Sequence, residues 1–93
     1  MIAYGKHPLH IQKLIAKHLP QNDGRYFRAN SHLDKVADVM CVLRPGLIFG
    51  ELSRSELRQL ATTAEAAVVE RDGPVPLFNR NVLRKASTPK YLG

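Results

Sequence analysis

Tryptophan is absent from the 93 residues, and there is a single cysteine, Cys41. One thiol excludes an internal disulfide and any multi-cysteine zinc site, and sets the expectation of a reducing, cytoplasmic setting. No apolar run approaches the roughly 20 residues that a membrane-spanning helix requires, and Met1 to His7 lacks the apolar centre of a signal peptide. No membrane association is therefore expected. A Gly-rich phosphate loop, a Ser-His-Asp or Cys-His pattern, zinc-finger spacing and an internal repeat are all missing. With no reactive constellation to support, the sequence predicts neither enzymatic activity nor a cofactor.

Acid is missing where base is plentiful. Residues 1–32 carry five basic groups against Asp23, residues 33–72 carry five against seven acids, and Arg80, Arg84, Lys85 and Lys90 follow Gly73 with no acid at all. The formal net charge of +6 thus resides in the two ends. Ends of this kind suit a polyanion or an acidic protein surface.

What the sequence does contain is a strong helix pattern over 53–71. Ser53 with Glu56 three residues on forms a capping box, while Gly73 and Pro74 supply the stop. Leu57, Leu60, Ala61, Ala64, Ala67 and Val68 recur at helical spacing, with Arg58, Gln59, Thr62, Glu65 and Glu70 on the other side. The small alanines allow close approach of a second helix, from this chain or from a second copy, so a homodimer through helix 53–71 is one expectation.

Two further helices are predicted. His7-Pro8 opens one over 8–19, with Ile11, Leu14, Ile15 and His18 inward and Gln12, Lys13 and Lys17 outward, ended by Pro20. His7, His10 and His18 fall near one side, but a metal site needs three or four ligands and the remainder is lacking, so no metal is expected. Ser31 with Asp34 forms a capping arrangement for a helix over 32–43, whose inner face is Leu33, Val36, Ala37, Met40 and Leu43. Cys41 lies at the margin of that face with no activating base in its pattern, which suits a small boundary residue. Asp34 with Asp38, and Glu65 with Glu70, read as solvated acidic faces.

Between the helices, Gln21 to Gly24 has turn composition. Arg25-Tyr26-Phe27-Arg28 places aromatic rings between arginines, as a single-stranded nucleic-acid platform does, or else covers the core as a short extended segment. Leu47-Ile48-Phe49, after the Arg44-Pro45-Gly46 turn, suits a short strand pairing with 25–28 or a partner-binding loop. Beyond the stiff Gly73-Pro74-Val75-Pro76 stretch, residues 78–86 form a short amphipathic helix candidate with Arg80, Arg84 and Lys85 outward.

The fold class predicted is mainly α: one small domain over 1–93, a bundle of three to four helices with a minimal two-stranded β element. Its N-terminal part is basic, and its basic tail, from about 74 to 93, is expected to be partly mobile. A helix-turn-helix does not fit, because Arg44 to Leu52 spans nine residues where that motif's turn takes three or four, and helix 53–71 is not basic. The function expected is a non-enzymatic protein-interaction module, of the kind a phage-like mobile element uses as an inhibitor or modulator. It would dock on a larger, DNA-handling bacterial protein through Arg25, Tyr26, Phe27, Arg28, Leu47, Ile48, Phe49, Arg80, Arg84 and Lys85. The alternative is a small basic nucleic-acid-binding regulator that grips phosphates with the same ends.

Overall fold

The computed structural model describes residues 7–20, 26–75 and 77–79. Their elements are helix α1 (Leu9–His18), strand β1 (Tyr26–Arg28), helix α2 (Asn30–Leu43), a single 3-10 turn (Phe49–Glu51), helix α3 (Arg54–Asp72) and strand β2 (Leu77–Asn79). The chain is mainly helical with one two-stranded antiparallel sheet.

Local chemistry accounts for the helix ends. At α3 the Ser53 hydroxyl accepts from the Glu56 N–H at 3.1 Å and the Glu56 carboxylate accepts from the Ser53 N–H at 3.0 Å, the predicted reciprocal cap. At its far end the Gly73 N–H donates to the Val69 carbonyl, and Gly73 takes φ 92 with an extended ψ of −172, so it stops the helix without entering the left-handed helical well. The Pro8 carbonyl opens α1 by accepting from Ile11 and Gln12. The Ser31–Asp34 cap does not form. α2 starts earlier, with Ala29 as N-cap, and Asp34 accepts the His7 backbone N–H at 2.9 Å instead. At the other end of α2, Leu47 N–H donates to Arg44 O at 3.1 Å across Pro45 and Gly46, with Gly46 at φ 80. Proline second and positive-φ glycine third are the arrangement of a type II turn.

Each helix packs against the other two. α2 and α3 run antiparallel, since His32 and Lys35 near the start of α2 meet Glu65 and Asp72 towards the end of α3, and Arg44 meets Glu56. Ile15 and Leu19 from the first helical segment, Leu33, Val36, Ala37 and Met40 from α2, and Leu57, Ala61, Ala64 and Val68 from α3 form the buried core. The alanine stripe of α3 is therefore covered by this chain's own helices, Ala67 faces solvent, and any second copy would have to use another face. Gln12 also departs from its predicted outward position. It is fully buried, with its side-chain amide donating to the His7 carbonyl at 3.2 Å, because a polar group is tolerated inside when hydrogen bonds replace water.

β1 pairs with β2, not with 47–50: Tyr26 faces Asn79, Phe27 faces Phe78 and Arg28 faces Leu77. Leu77–Asn79 is thus strand where the pattern predicted the start of a helix; the rest of that expected helix, and the expected mobile tail beyond residue 79, lie outside the described residues. The physical reason lies just upstream, since Gly73 and Val75 each precede a proline and are biased to extended backbone. No described peptide bond is cis. Among the described residues no helix is long and apolar enough to cross a membrane.

Candidate functional site

Of the residues predicted to meet a partner, Arg28 is placed least like a ligand-binding group. Its side chain is 7% exposed and its guanidinium is ion-paired with Glu65. One Nη2 also donates to the Pro20 carbonyl at 2.8 Å and to Glu65 Oε1 at 3.3 Å. His32 Nε2 lies 3.0 Å from Glu65 Oε2, and because an ionised carboxylate only accepts, that nitrogen carries the proton. Burial works against the Glu65 charge, but the His32 hydrogen bond and the Arg28 charge outweigh it and hold the carboxyl below its ordinary range. Glu65 is consequently no solvated acid, and Arg28 is a structural cation tying β1 to α3. Phosphate could reach Arg28 only by displacing Glu65.

The neighbouring aromatics are accessible. Tyr26 and Phe27 are exposed, and the Phe27 ring leans on Phe78 at 5.8 Å between centroids. Alternation along β1 puts Phe27 on the face opposite to buried Arg28, so the pair covers the outer side of the ribbon. Arg25, Arg80, Arg84 and Lys85 lie outside the described residues.

The Leu47-Ile48-Phe49 stretch divides. Leu47 and Phe49 are partly buried against the core, Phe49 edge-on to the His7 ring at 6.3 Å. Ile48 remains 57% exposed, and close to it in the chain stand Val42 at 71% and Leu43 at 49%. These three aliphatic side chains flank the Arg44–Leu47 turn. Of the three, Leu43 lines an open groove of about 420 Å³ between α2 and α3, together with Leu60, Gln59, Thr63, Arg44 and Glu56. Arg44 Nη1 and Glu56 Oε2 are 3.6 Å apart on it, each half exposed. The result is an apolar edge near the Arg44–Glu56 pair, with exposed Glu51 in the turn after Ile48 and Arg58 lining an adjoining hollow with Gln59 and Thr63. Sequence reasoning missed Val42 as surface and placed Leu43 inside, whereas Leu60, read as part of the α3 stripe, is partly buried against the core. Leu43 keeps the spacing of Val36 and Met40, but it is the last residue of α2 and only half covered.

Charge pairing uses most of the acids internally. Glu56 serves Ser53 and Arg44, Glu65 serves Arg28 and His32, Asp72 serves Lys35 and Arg71, and Asp34 accepts from His7. Lys13, Lys17, Arg54 and Arg58 are exposed and have no acidic partner among the described residues. Burial pushes the Cys41 thiol up, with Asp38 adding to the shift, so the thiol stays protonated rather than becoming a nucleophile. Among the described residues no three histidine, cysteine or acidic side chains gather as a metal-ligand group.

Compared with protein-family models, curated proteins and solved structures, the chain gives no significant match.

Proposed function

We propose that this chain is a non-enzymatic protein-interaction module whose docking surface is the apolar edge of Val42, Leu43 and Ile48 with the adjoining α2–α3 groove. The observation that carries this reading is the exposure of Val42 and Leu43 at the end of α2 and of Ile48 just past the turn that follows. A small domain gains stability by burying such groups, and Leu43 with Leu60 in the lining of an open groove matches how protein surfaces present an apolar contact centre. Aliphatic side chains offer nothing to a phosphate backbone. The unneutralised cations of α1 and α3, with Arg80, Arg84 and Lys85 in the sequence beyond, give the module a preference for an acidic surface on a larger partner, as the sequence anticipates for a DNA-handling protein.

A second reading, direct binding of single-stranded nucleic acid, is favoured by the exposed Tyr26 and the Phe27–Phe78 ring pair on the outer face of the ribbon. It loses Arg28, whose charge is already matched by Glu65.

Capture from nuclease-treated bacterial lysate separates the two. The first reading predicts a protein partner retained after nuclease, and lost with Val42→Glu plus Ile48→Glu while the thermal melt stays near that of the parent. Capture that disappears with nuclease would support the second.

A further inference from the structure

In sequence α3 is not basic, because Glu56, Glu65 and Glu70 match Arg54, Arg58 and Arg71. In the folded chain these acids are withdrawn from the outer side of its first three turns. Glu56 stands two residues from both Arg54 and Arg58, about 160° around the helix from each, and its carboxylate is held by the Ser53 N–H and lies 3.6 Å from Arg44. Glu65 is turned inward to Arg28 and His32, and Asp72 is paired with Lys35. Glu70 lies about 18 Å further along the axis than Arg58. Exposed Glu51 precedes the cap and belongs to the 3-10 turn. Arg54 and Arg58 thus stand exposed with no acidic partner among the described residues.

The side of α3 opposite Leu57, Ala61, Ala64 and Val68 carries Ser55, Gln59, Thr62 and Ala66, all exposed, with Arg54 and Arg58 along one flank. Arg58, Gln59, Thr62 and Thr63 line one open hollow of about 420 Å³, and no acid or large apolar side chain shares its lining. From this we infer that the outer face of α3, from Arg54 to Ala66, binds duplex DNA in its major groove. Arg54 and Arg58 meet phosphates on the groove wall, while Ser55, Gln59 and Thr62 meet base edges, to which hydroxyl and amide side chains hydrogen-bond. A helix about 10–12 Å across fits a groove about 12 Å wide. What the face lacks decides against other occupants. None of the exposed large hydrophobic residues is on α3, so a protein finds no apolar contact centre there. The helix has no aromatic ring on which a single strand could stack, and the deep, narrow major groove of duplex RNA does not admit side chains. The inference goes beyond the docking reading and stands without it, since Val42, Leu43 and Ile48 take no part and only Gln59 and Thr63 are common to hollow and groove.

The test is fluorescence anisotropy of a labelled random-sequence duplex of about 20 base pairs, titrated with the purified chain to about 100 μM, the weak end of non-specific binding. The expected result is saturable binding that weakens at least about tenfold between about 50 mM and about 200 mM salt, the loss that two phosphate contacts give. Arg54→Glu with Arg58→Glu should bind at least about tenfold more weakly with an unchanged thermal melt. Lys13→Glu with Lys17→Glu, which lowers the net charge equally from α1, should lose less than about threefold. Gln59→Ala should keep the salt slope and change which sequences are enriched from a random duplex pool. A duplex left unbound by the parent chain, equal losses from the two charge reversals, or an enrichment that Gln59→Ala leaves unchanged would overturn the placement of α3 in the groove. Tighter binding of a single strand that Phe27→Ala abolishes would overturn it by assigning nucleic acid to the ribbon, and tighter retention of polyglutamate than of duplex would overturn it in favour of an acidic protein. None of these variants alters Val42 or Ile48, so failure here leaves lysate capture as the separate test of the docking edge.

Discussion

Arg28 and Glu65, 37 positions apart in sequence, form an ion pair that is 7% and 13% exposed and joins the only β ribbon among the described residues to the longest helix. Burying a charge is tolerable when its partner and hydrogen bonds travel with it, and Pro20 O and His32 complete that environment. Removing one member is a different matter. Glu65→Ala should cost about 3–5 kcal/mol by leaving the Arg28 charge unmatched, whereas Arg28→Met with Glu65→Leu should cost much less. Urea denaturation of the three proteins checks this; equal losses for the single and double variants would show that the pair does not act as a unit.

The same pair sets an acid limb. The folded state holds the Glu65 carboxyl below its usual 4.5, so the stability it contributes is complete above that value and is lost as pH falls through the lower folded value. Stability measured between about pH 6 and pH 2 should therefore fall as the acid is added, and Glu65→Gln should flatten that fall. An acid limb of unchanged slope in Glu65→Gln would show that other carboxylates carry it.

Burial distinguishes two apolar residues of α2 that share one helical spacing. Met40→Ala should cost about 2–5 kcal/mol, since the side chain is fully enclosed and leaves a cavity. Leu43→Ser should cost less than about 1 kcal/mol, being half exposed already. Thermal melts of the two variants give the comparison, and similar losses would mean that Leu43 is covered.

Gly46 allows a backbone prediction free of packing effects, because a Cβ added there would meet nothing within 4 Å. Its φ of 80 is nonetheless unfavourable for an L side chain, so Gly46→Ala should destabilise by about 1–2 kcal/mol and Gly46→Asn by less. No change in either melt would place the turn in another conformation.

The parts of this fold that were legible in the sequence are those fixed by neighbours along the chain. Ser53 and Glu56 are three residues apart, and Leu57, Ala61, Ala64 and Val68 lie on one stripe of one helix, so spacing alone identifies cap and core. What spacing does not carry is a partner from far away. Glu65 sits one residue from buried Ala64, on the flank of the stripe, where a solvated acid and an ion-paired acid look alike until Arg28 and His32 arrive beside it. The ribbon was misassigned for the same reason: three residues of β1 could pair with any short extended segment, and Leu77–Asn79 is chosen by the path the prolines impose after α3. In the Leu47-Ile48-Phe49 stretch, which spacing treats as one unit, Ile48 alone stays exposed while Leu47 and Phe49 turn inward. Val42 carried a usable signal, an aliphatic residue off the apolar face immediately before a turn.

The claim that the α2 edge docks protein is tested most directly by placing a photo-activated crosslinking residue at Val42, and for comparison at exposed Lys13 on α1, and irradiating in bacterial lysate treated with nuclease. The account predicts a discrete protein adduct from position 42, either of twice the chain's mass or heavier, that survives nuclease and is absent from position 13. An adduct of nucleic acid alone, no adduct at 42, or the same adducts from both positions would contradict it.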